Sequence, residues 1–406
     1  MARIVMKFGG TSVADLDRIA NAAERVRREV EAGNEIIVCV SAMAGVTNQL
    51  VGYVDQTSKM YDAREYDTIV SSGEQVTAGL MALRLQAMGI SARSWMGWQI
   101  PIKTNEVHGK ARIEDISTDL IIERFAEGQV AVVAGFQGLS PRNRITTLGR
   151  GGSDTTAVAL AAAFKADRCD IYTDVDGVYT TDPRIVSKAR KIDMITFEEM
   201  LEMASQGAKV LQTRSVEVAM NYGVKLQVRS SFEDTPGTMV VDEDEIVEQQ
   251  VVSGIAYSRD EAKITLVRVN DKPGVAAAIF GPLSDGSINV DMIVQSVSPD
   301  GERTDMTFTV SKTDLGRAIE VLESNREKIG YENLLSDDNV VKISVIGVGM
   351  RSHAGVAQTM FRTLSEKGIN IQVISTSEIK ISTLIAEDYT ELALRALHTA
   401  YGLDAQ

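Results

Sequence analysis

The chain has 406 residues, more than one ordinary hydrophobic core accommodates, so two or three domains are expected. Its 44% hydrophobic and 24% charged residues suit a soluble globular enzyme or binding protein, and no apolar run approaches the ~20 residues that span a bilayer. Lys and Arg number 42 against 56 Asp and Glu, a formal net charge of −14, which argues against nucleic acid or an anionic membrane as partner but leaves room for a small anion at a local cluster of cations.

The N-terminus has no signal-peptide layout, because its first apolar run, Ile4–Phe8, already reads as a strand; a cytoplasmic location is expected. That strand runs into Lys7-Phe8-Gly9-Gly10-Thr11-Ser12. Glycine lets backbone approach an oxyanion, a helix N-terminus after Thr11 or Ser12 offers unpaired N–H groups, and Lys7 adds a full charge. The plain alternative is a surface lysine before a capped turn. It is not a GxxxxGK[ST] phosphate loop, because the lysine precedes the glycines. An amphipathic helix follows from about Leu16 to Val30, with Leu16, Ile19, Ala20, Ala23, Val26 and Val30 on one face.

The next strand, Ile36–Val40, leads into Ser41-Ala42-Met43-Ala44-Gly45-Val46-Thr47, small and hydroxyl residues suited to a substrate loop. In Ser71-Ser72-Gly73-Glu74-Gln75 the glutamate can hold an ammonium group or serve as an N-terminal helix charge. After the strand Val130–Ala134 comes a second glycine cluster, Gly149-Arg150-Gly151-Gly152-Ser153-Asp154-Thr155-Thr156, then a helix through Ala157–Phe164. Glycines on both sides leave the Arg150 guanidinium accessible to a carboxylate or phosphate; the alternative is a glycine turn with Asp154 as helix cap. Two such clusters suggest two anionic groups facing each other across the ends of parallel strands. A fourth strand, Asp170–Thr173, opens "YTDVDGVYTTDPR" (172–184), which lacks the glutamate a calcium loop needs and fits a loop around a nucleotide base and ribose. One helix is predicted over Phe197–Tyr222. Apolar strands separated by helices imply an α/β domain with a mainly parallel sheet covered on both faces.

Cys39 and Cys169 sit in apolar strand-like runs and read as core thiols; the three histidines are scattered, so no metal site is expected. "EDTPGTMVVDEDEIVEQQ" joins a Pro-Gly turn to an acidic run and marks a solvated boundary at about 245–250. Beyond it the chain repeats. Residues 272–296 align without a gap on 353–377, so that Gly274, Val275, Phe280, Leu283, Ile288, Asn289, Ile293 and Ser296 fall on Gly355, Val356, Phe361, Leu364, Ile369, Asn370, Ile374 and Ser377. Each copy reads as a ferredoxin-like βαββαβ unit. The first has a fourth strand near Tyr331–Leu335, whereas the second ends without one, and "QQVVSGIAYS" (249–258) is a spare strand ahead of the first. That strand is expected to complete the second copy, interleaving the two.

KFGGTS, VSAMAGVT, SSGEQ, LGRGGSDTTA and TDVDGVYTTDPR, in this order, resemble the bacterial aspartate kinases of the amino-acid kinase superfamily, and the paired C-terminal copies resemble their tandem ACT domains. The likeness spans essentially the whole chain. "GWQIPIKTNEVHGKARI" (97–113) departs from it, with Ile100-Pro101 where the family more often has Ala-Gly and Asn105 where it has Asp. The resemblance implies a kinase domain over 1–245, a linker and strand over 246–263, and ACT domains over 264–337 and 338–406. It implies phosphoryl transfer from ATP to the side-chain carboxylate of L-aspartate, the entry to lysine, threonine and methionine, with Mg2+ accompanying ATP. A carboxylate is ionised at neutral pH and needs no general base, in keeping with motifs free of histidine.

By the same resemblance, Lys7 with the Gly9 and Gly10 amides, next to Phe8, meets the phosphates, and Lys209 approaches them from the other side. Arg150, Gly151, Gly152 and Ser153 hold the aspartate carboxylates, Glu74 its amino group, with Ser41 and Thr47 nearby. Asp154 orients Lys7; Thr173, Asp174, Tyr179 and Arg184 contact ATP. Lysine, threonine or both are implied as effectors, held among Asp271, Gly274, Asn289, Val290, Asp291, Gln295, Asn370, Ile371, Ser377 and Glu378. The interleaved units would link that site to the kinase domain. A homo-oligomer, dimer or tetramer, is implied through the ACT domains, or an α2β2 form whose regulatory subunit starts internally, for which Met239 is a candidate. The competing readings are a superfamily kinase for acetylglutamate, glutamate, carbamate or UMP, and a non-catalytic amino-acid sensor that kept the fold.

Overall fold

The computed structural model describes residues 1–208, 210–246, 250–297 and 302–404. The chain forms two compact units. The N-terminal unit holds Met1–Val178, Lys191–Ala204 and Lys209–Glu248; the C-terminal unit holds Tyr179–Arg190, Ser205–Ala208 and Gln249–Gln406.

Twelve strands build the N-terminal unit: β1 (Arg3–Phe8), β2 (Glu35–Val40), β3 (Ala92–Trp95), β4 (Ile102–Thr104), β5 (Ile113–Ile116), β6 (Val130–Ala134), β7 (Gln137–Leu139), β8 (Ile145–Thr147), β9 (Arg168–Thr173), β10 (Met194–Thr196), β11 (Leu226–Ser230) and β12 (Thr238–Val241). Eight of them make one sheet in the order β10-β12-β11-β9-β1-β2-β6-β3, parallel except for the β11–β12 pair. The others make a small sheet, β5-β4-β7-β8.

Its helices are α1 (Leu16–Glu31), α2 (Val46–Thr57), α3 (Ala63–Val70), α4 (Ser72–Ala87), α5 (Asp119–Ala126), α6 (Gly152–Ala163), α7 (Phe197–Ser205) and α8 (Thr213–Tyr222). Ile19, Ala23 and Val26 of α1 and Met81 and Leu85 of α4 pack on Ile4, Met6, Phe8, Ile36, Val38 and Val40. Because side chains alternate along a strand, Val5, Lys7 and Cys39 face the other side, where α6 lies. Cys39 Sγ donates to the Ser153 carbonyl there at 3.5 Å, and burial pushes the thiols of both free cysteines up.

Three helix expectations change. Residues Gly10–Val13 form only a 3-10 turn, and the helix starts at Leu16 because Asp15 accepts the Arg18 N–H at 2.8 Å as its N-cap. No helix N-terminus therefore follows Thr11 or Ser12. Helix α6 starts at Gly152, earlier than expected, with Gly151 as N-cap at φ +70°, which places Ser153 and Asp154 inside its first turn rather than at a cap. The single helix over 197–222 is two. Gly207 stands between them at φ +113°, and a Cβ there would lie 2.1 Å from the Tyr257 carbonyl oxygen, so close backbone approach breaks the helix.

In the C-terminal unit the strands are β13 (Gly254–Asn270), β14 (Asp291–Val297), β15 (Arg303–Val310), β16 (Asn333–Ile346), β17 (Val373–Thr376) and β18 (Lys380–Ala386), ordered β14-β15-β13-β16-β18-β17. Helices α9 (Val275–Asp285), α10 (Leu315–Ser324), α11 (Arg326–Ile329), α12 (Val356–Glu366) and α13 (Thr390–Ala400) cover it. The long strands β13 and β16 each serve both repeat copies. Residues 254–258 pair with 342–346 of the second copy, and 263–267 pair with 333–337 of the first. Gln249 lies outside the described residues. Residues 179–190 belong to this unit, where Val186, Ile185 and Ala189 pack with Val341, Leu394 and Leu397.

Candidate active and effector sites

Strand β1 delivers Lys7 to the ends of the parallel strands, on the face it shares with α6. There its ammonium lies 2.5 Å from Asp154 Oδ1, both side chains about nine-tenths buried. The two glycine clusters thus meet through their charged residues. The glycines are small for a reason: a Cβ on Gly9 would sit 3.4 Å from Lys7 Nζ, and one on Gly10 would sit 3.0 Å from the Ala42 carbonyl. Gly9 N–H donates to the Tyr172 carbonyl at 3.2 Å, and Phe8 stacks on Tyr172 at 4.8 Å.

The loop after β2 closes the other side. Ser41 N–H donates to the Phe8 carbonyl at 3.1 Å, and Ala42 N–H donates to Glu74 Oε1 at 3.0 Å. Glu74 sits in the first turn of α4, and Gly73 before it admits no Cβ, because Ala42 Cβ would be 2.7 Å away. Glu74 Oε2 is buried without a hydrogen-bond partner among the described residues. Burial raises the Glu74 carboxyl to about 7, against the opposing pull of the Ala42 and Glu74 N–H groups. A buried carboxylate with one satisfied oxygen suits a cation delivered by a ligand. Thr47 stands in the first turn of α2, behind Gly45 at φ +82°.

Gly135, just beyond β6, brings the second cluster in: its Cβ would lie 2.9 Å from Ser153 Oγ and 3.0 Å from the Val40 carbonyl. Arg150 is exposed on the turn before α6, between Gly149 at φ +78° and Gly151 at φ +70°. Gly152 backs onto Phe136, with its Cβ position 2.6 Å from Phe136 Cδ2. Lys7, Ser41, Glu74, Ser153 and Asp154 are therefore gathered around the ends of β1, β2 and β6. Thr173 ends β9 and its hydroxyl donates to Asp174 at 3.1 Å. Tyr179 and Arg184 belong to the C-terminal unit, where the Arg184 guanidinium lies 2.7 Å from Asp182. Lys209 lies outside the described residues.

In the C-terminal unit Met292 and Val294 of β14 pack with Val373 of β17, so the corresponding strands of the two copies lie side by side. Asp291 and Gln295 lie on β14, and Asn370 and Ile371 lie just ahead of β17. Asp271 accepts from Gln295 Nε2 at 3.5 Å. Gly274 caps α9 at φ +92°, and Asn289 and Val290 lead into β14. Ser377 N–H donates to the Lys380 carbonyl at 2.8 Å, and the exposed Glu378 lies 3.7 Å from Arg351.

The amino acid kinase family matches residues 2–230, and ACT domains match residues 263–327 and 343–401. Over 406 residues the chain is 55% identical to an aspartate kinase of Stutzerimonas stutzeri, covering 100% of this chain and 98% of that one. The chain belongs to the aspartate kinase family. An aspartokinase of Pseudomonas aeruginosa is also 55% identical, with the same coverage of each chain. Among solved structures, Escherichia coli aspartokinase III in complex with aspartate and ADP, in its R-state, superposes with a TM-score of 0.82 at 27% identity, covering 98% of this chain and 99% of that one. The same enzyme with lysine and aspartate, in its T-state, gives 0.77 at 27% identity and 98% of each chain. The kinase architecture is thus an amino acid kinase domain followed by two ACT domains. Among the described residues, no helix is long and apolar enough to cross a membrane.

Two residues beside the second glycine cluster escaped the sequence. Asp67, on α3, and Arg214, on α8, carry no motif signal, yet both reach the segment that ends in Gly149.

Proposed function

We propose that this aspartate kinase acts in the cytoplasm at the entry to lysine, threonine and methionine synthesis, giving 4-phospho-L-aspartate and ADP. One observation carries the reading: Lys7 and Asp154 form a buried ion pair where two glycine segments converge beside Glu74. An aspartate carboxylate oxygen attacks the γ-phosphorus, the bond to the ADP oxygen breaks, and no proton moves. Catalysis then rests on positioning and on cations around the transferred group. Lys7, with the Gly9 and Gly10 amides and Lys209, stabilises the phosphates, and Asp154 orients Lys7. Arg150 and Ser153 hold the aspartate carboxylates with the amides of Gly151 and Gly152, and Glu74 takes the ammonium. Ser41 and Thr47 complete the pocket. Phe8, Thr173, Asp174, Tyr179 and Arg184 serve ATP. The aspartate and ADP of the Escherichia coli complex support both ligands.

Mg2+ accompanies the nucleotide. It would be held chiefly by the phosphates of the nucleotide, with one or two carboxylates. Lysine and threonine, singly or together, act at the ACT domains through Asp271, Gly274, Asn289, Val290, Asp291, Gln295, Asn370, Ile371, Ser377 and Glu378; the lysine-bound T-state structure supports the lysine part. Assembly as a homo-oligomer or an α2β2 form uses the ACT sheet edges, where Ile293, Val297 and Ile374 are exposed. A coupled assay for ADP with aspartate, glutamate or acetylglutamate as acceptor, repeated with lysine, threonine and both, tests the reading. Turnover on aspartate alone, reduced by an effector, is expected; preference for another acceptor sinks it.

A further inference from the structure

Within the segment over 97–113, one buried side chain holds the part around His108 and Gly109. Asp67, on α3, is completely buried and has no Lys or Arg as partner among the described residues. A buried carboxylate in that position is costly unless hydrogen bonds replace its hydration. Asp67 has them. Oδ2 accepts from His108 Nδ1 at 2.7 Å, Oδ1 accepts from Thr147 Oγ1 at 2.5 Å, and the Gly109 N–H reaches both oxygens at 3.1 Å. Because a carboxylate only accepts, His108 carries its hydrogen on Nδ1.

These donors come from two segments that flank one turn. Thr147 is the last residue of β8, two residues before Gly149; His108 and Gly109 belong to the loop between β4 and β5. That loop lies against the turn itself. A Cβ on Gly149 would stand 3.2 Å from the Gly109 carbonyl oxygen and 3.8 Å from Lys110 Cα. Ala111 N–H donates to the Thr147 carbonyl at 2.9 Å. From α8, Arg214 donates to the Leu148 carbonyl at 2.8 Å and to the Ala111 carbonyl at 2.9 Å, joining the same two segments again. The Gly149-Arg150 turn is thus clamped on a loop whose anchor is a single buried carboxylate.

We propose that Asp67 and His108 are positioning residues for aspartate recognition: they fix the 105–111 loop against Gly149 and so set where Arg150 presents its guanidinium. The inference rests on the reading of Arg150 as an aspartate ligand. It gives the 105–111 loop a task, shaping the substrate turn from behind. Neither residue need touch substrate or nucleotide.

The test is steady-state kinetics on the full-length protein, with thermal melting of each variant. Asp67→Asn keeps the volume and loses the charge and one acceptor. It should raise the KM for aspartate roughly tenfold to hundredfold, in the range that misplacement of a binding group costs, while the KM for ATP stays within about twofold. His108→Phe keeps the ring and removes the donor, and covers the case in which Asp67→Asn fails to fold. It should raise the aspartate KM in the same direction. A double variant decides between positioning and plain stability: in an Arg150→Lys background, the aspartate KM penalty of His108→Phe should shrink, because residues that act through one group are not additive. Additive penalties, or equal losses for aspartate and ATP, overturn the proposal. If Arg150→Lys alone leaves the aspartate KM unchanged, the reading of Arg150 is what fails, and this inference falls with it.

Discussion

The ammonium of Lys342 lies 2.7 Å from Asp291 Oδ2, although the two residues come from different copies of the repeat. The same ammonium is 2.7 Å from Glu261, and only 5% of the Lys342 side chain is exposed. The relationship is reciprocal. Lys263 occupies the position in the first copy that Lys342 occupies in the second, and its ammonium donates to Gln372, the counterpart of Asp291. Interleaved strands bring this about, because β13 and β16 each run through both copies. One cross-contact is an ion pair and the other joins an ammonium to a neutral amide, so the two halves of the C-terminal unit are not chemically equivalent.

Removing Lys342 should therefore hurt more than removing Asp291. Lys342→Met strands the buried Glu261 carboxylate without its cation, a change that costs about 3–5 kcal/mol. Asp291→Asn leaves Lys342 paired with Glu261, and because the Asp291 side chain is 56% exposed the lost contact is worth about 0.2–1 kcal/mol. Burial works to raise the Asp291 carboxyl, but Lys342 outweighs it and holds the group below its ordinary range. That contribution is complete above the ordinary carboxylate pKa and fades as pH falls below it. Urea midpoints at pH 7 and pH 3 check both points. Equal losses in the two variants at pH 7 would contradict the arrangement.

Lys7→Ala should lower kcat at least about a hundredfold, or about 2.7 kcal/mol, the scale for losing one preorganised group at developing charge. Because the variant also leaves Asp154 without its cation, its melting temperature should fall as well. Lys7→Ala combined with Asp154→Asn should recover melting temperature without recovering turnover. Rapid-quench turnover near the parent value in a folded Lys7→Ala protein would remove Lys7 from the transition state.

Much of this was legible because β1, β2 and β6 are largely apolar runs and β9 carries Cys169, Ile171 and Tyr172, and the fold class follows from their alternation with helices. The small sheet was not legible: β4, β7 and β8 have three residues each, too few for a period to register. Strand β12 was hidden for a similar reason, four residues placed beside an acidic run. The break at Gly207 is imposed by the backbone of Tyr257, which no local pattern reports. Within the site, alternation along β1 does show that Lys7 leaves the face of Met6 and Phe8, but not that Asp154 meets it. Asp67 was invisible. A carboxylate in "REYDTIVSS" looks like a solvated helix charge until its three donors from distant segments are seen.

Aspartate binding should release a proton below about pH 7. The Glu74 carboxyl stands at about 7 in the ligand-free chain, against 4.5 ordinarily, through burial. Between those values the folded chain holds a proton that the unfolded chain has lost. Stability therefore declines as pH rises from about 4.5 through about 7, by on the order of 3 kcal/mol from this group. An ammonium beside Glu74 reverses the preference and favours the charged form. Aspartate affinity should then climb with pH up to about 7 and level off above it. Calorimetric titration at pH 6 in two buffers of different ionisation enthalpy reads the released proton directly. Glu74→Gln should abolish both the release and the pH slope; a slope that survives the substitution assigns it to another group.

Gly151→Ala should damage aspartate recognition for a reason separable from the chemistry. Gly151 caps α6 at φ +70°, where an L side chain costs about 1–2 kcal/mol, and its Cβ would lie 2.1 Å from Gln212 Cγ. The methyl group must push Gln212 aside or shift the turn that carries Arg150. The KM for aspartate should rise with that shift, and the melting temperature should fall. Gln212→Gly in the same chain removes the Cγ, Cδ and Cβ atoms that would lie within 3 Å, but not the backbone strain, so the double variant should regain part of the aspartate affinity and only part of the stability. If Gln212→Gly restores nothing, the loss in Gly151→Ala comes from the left-handed backbone alone, and the contact with Gln212 does not set the position of Arg150.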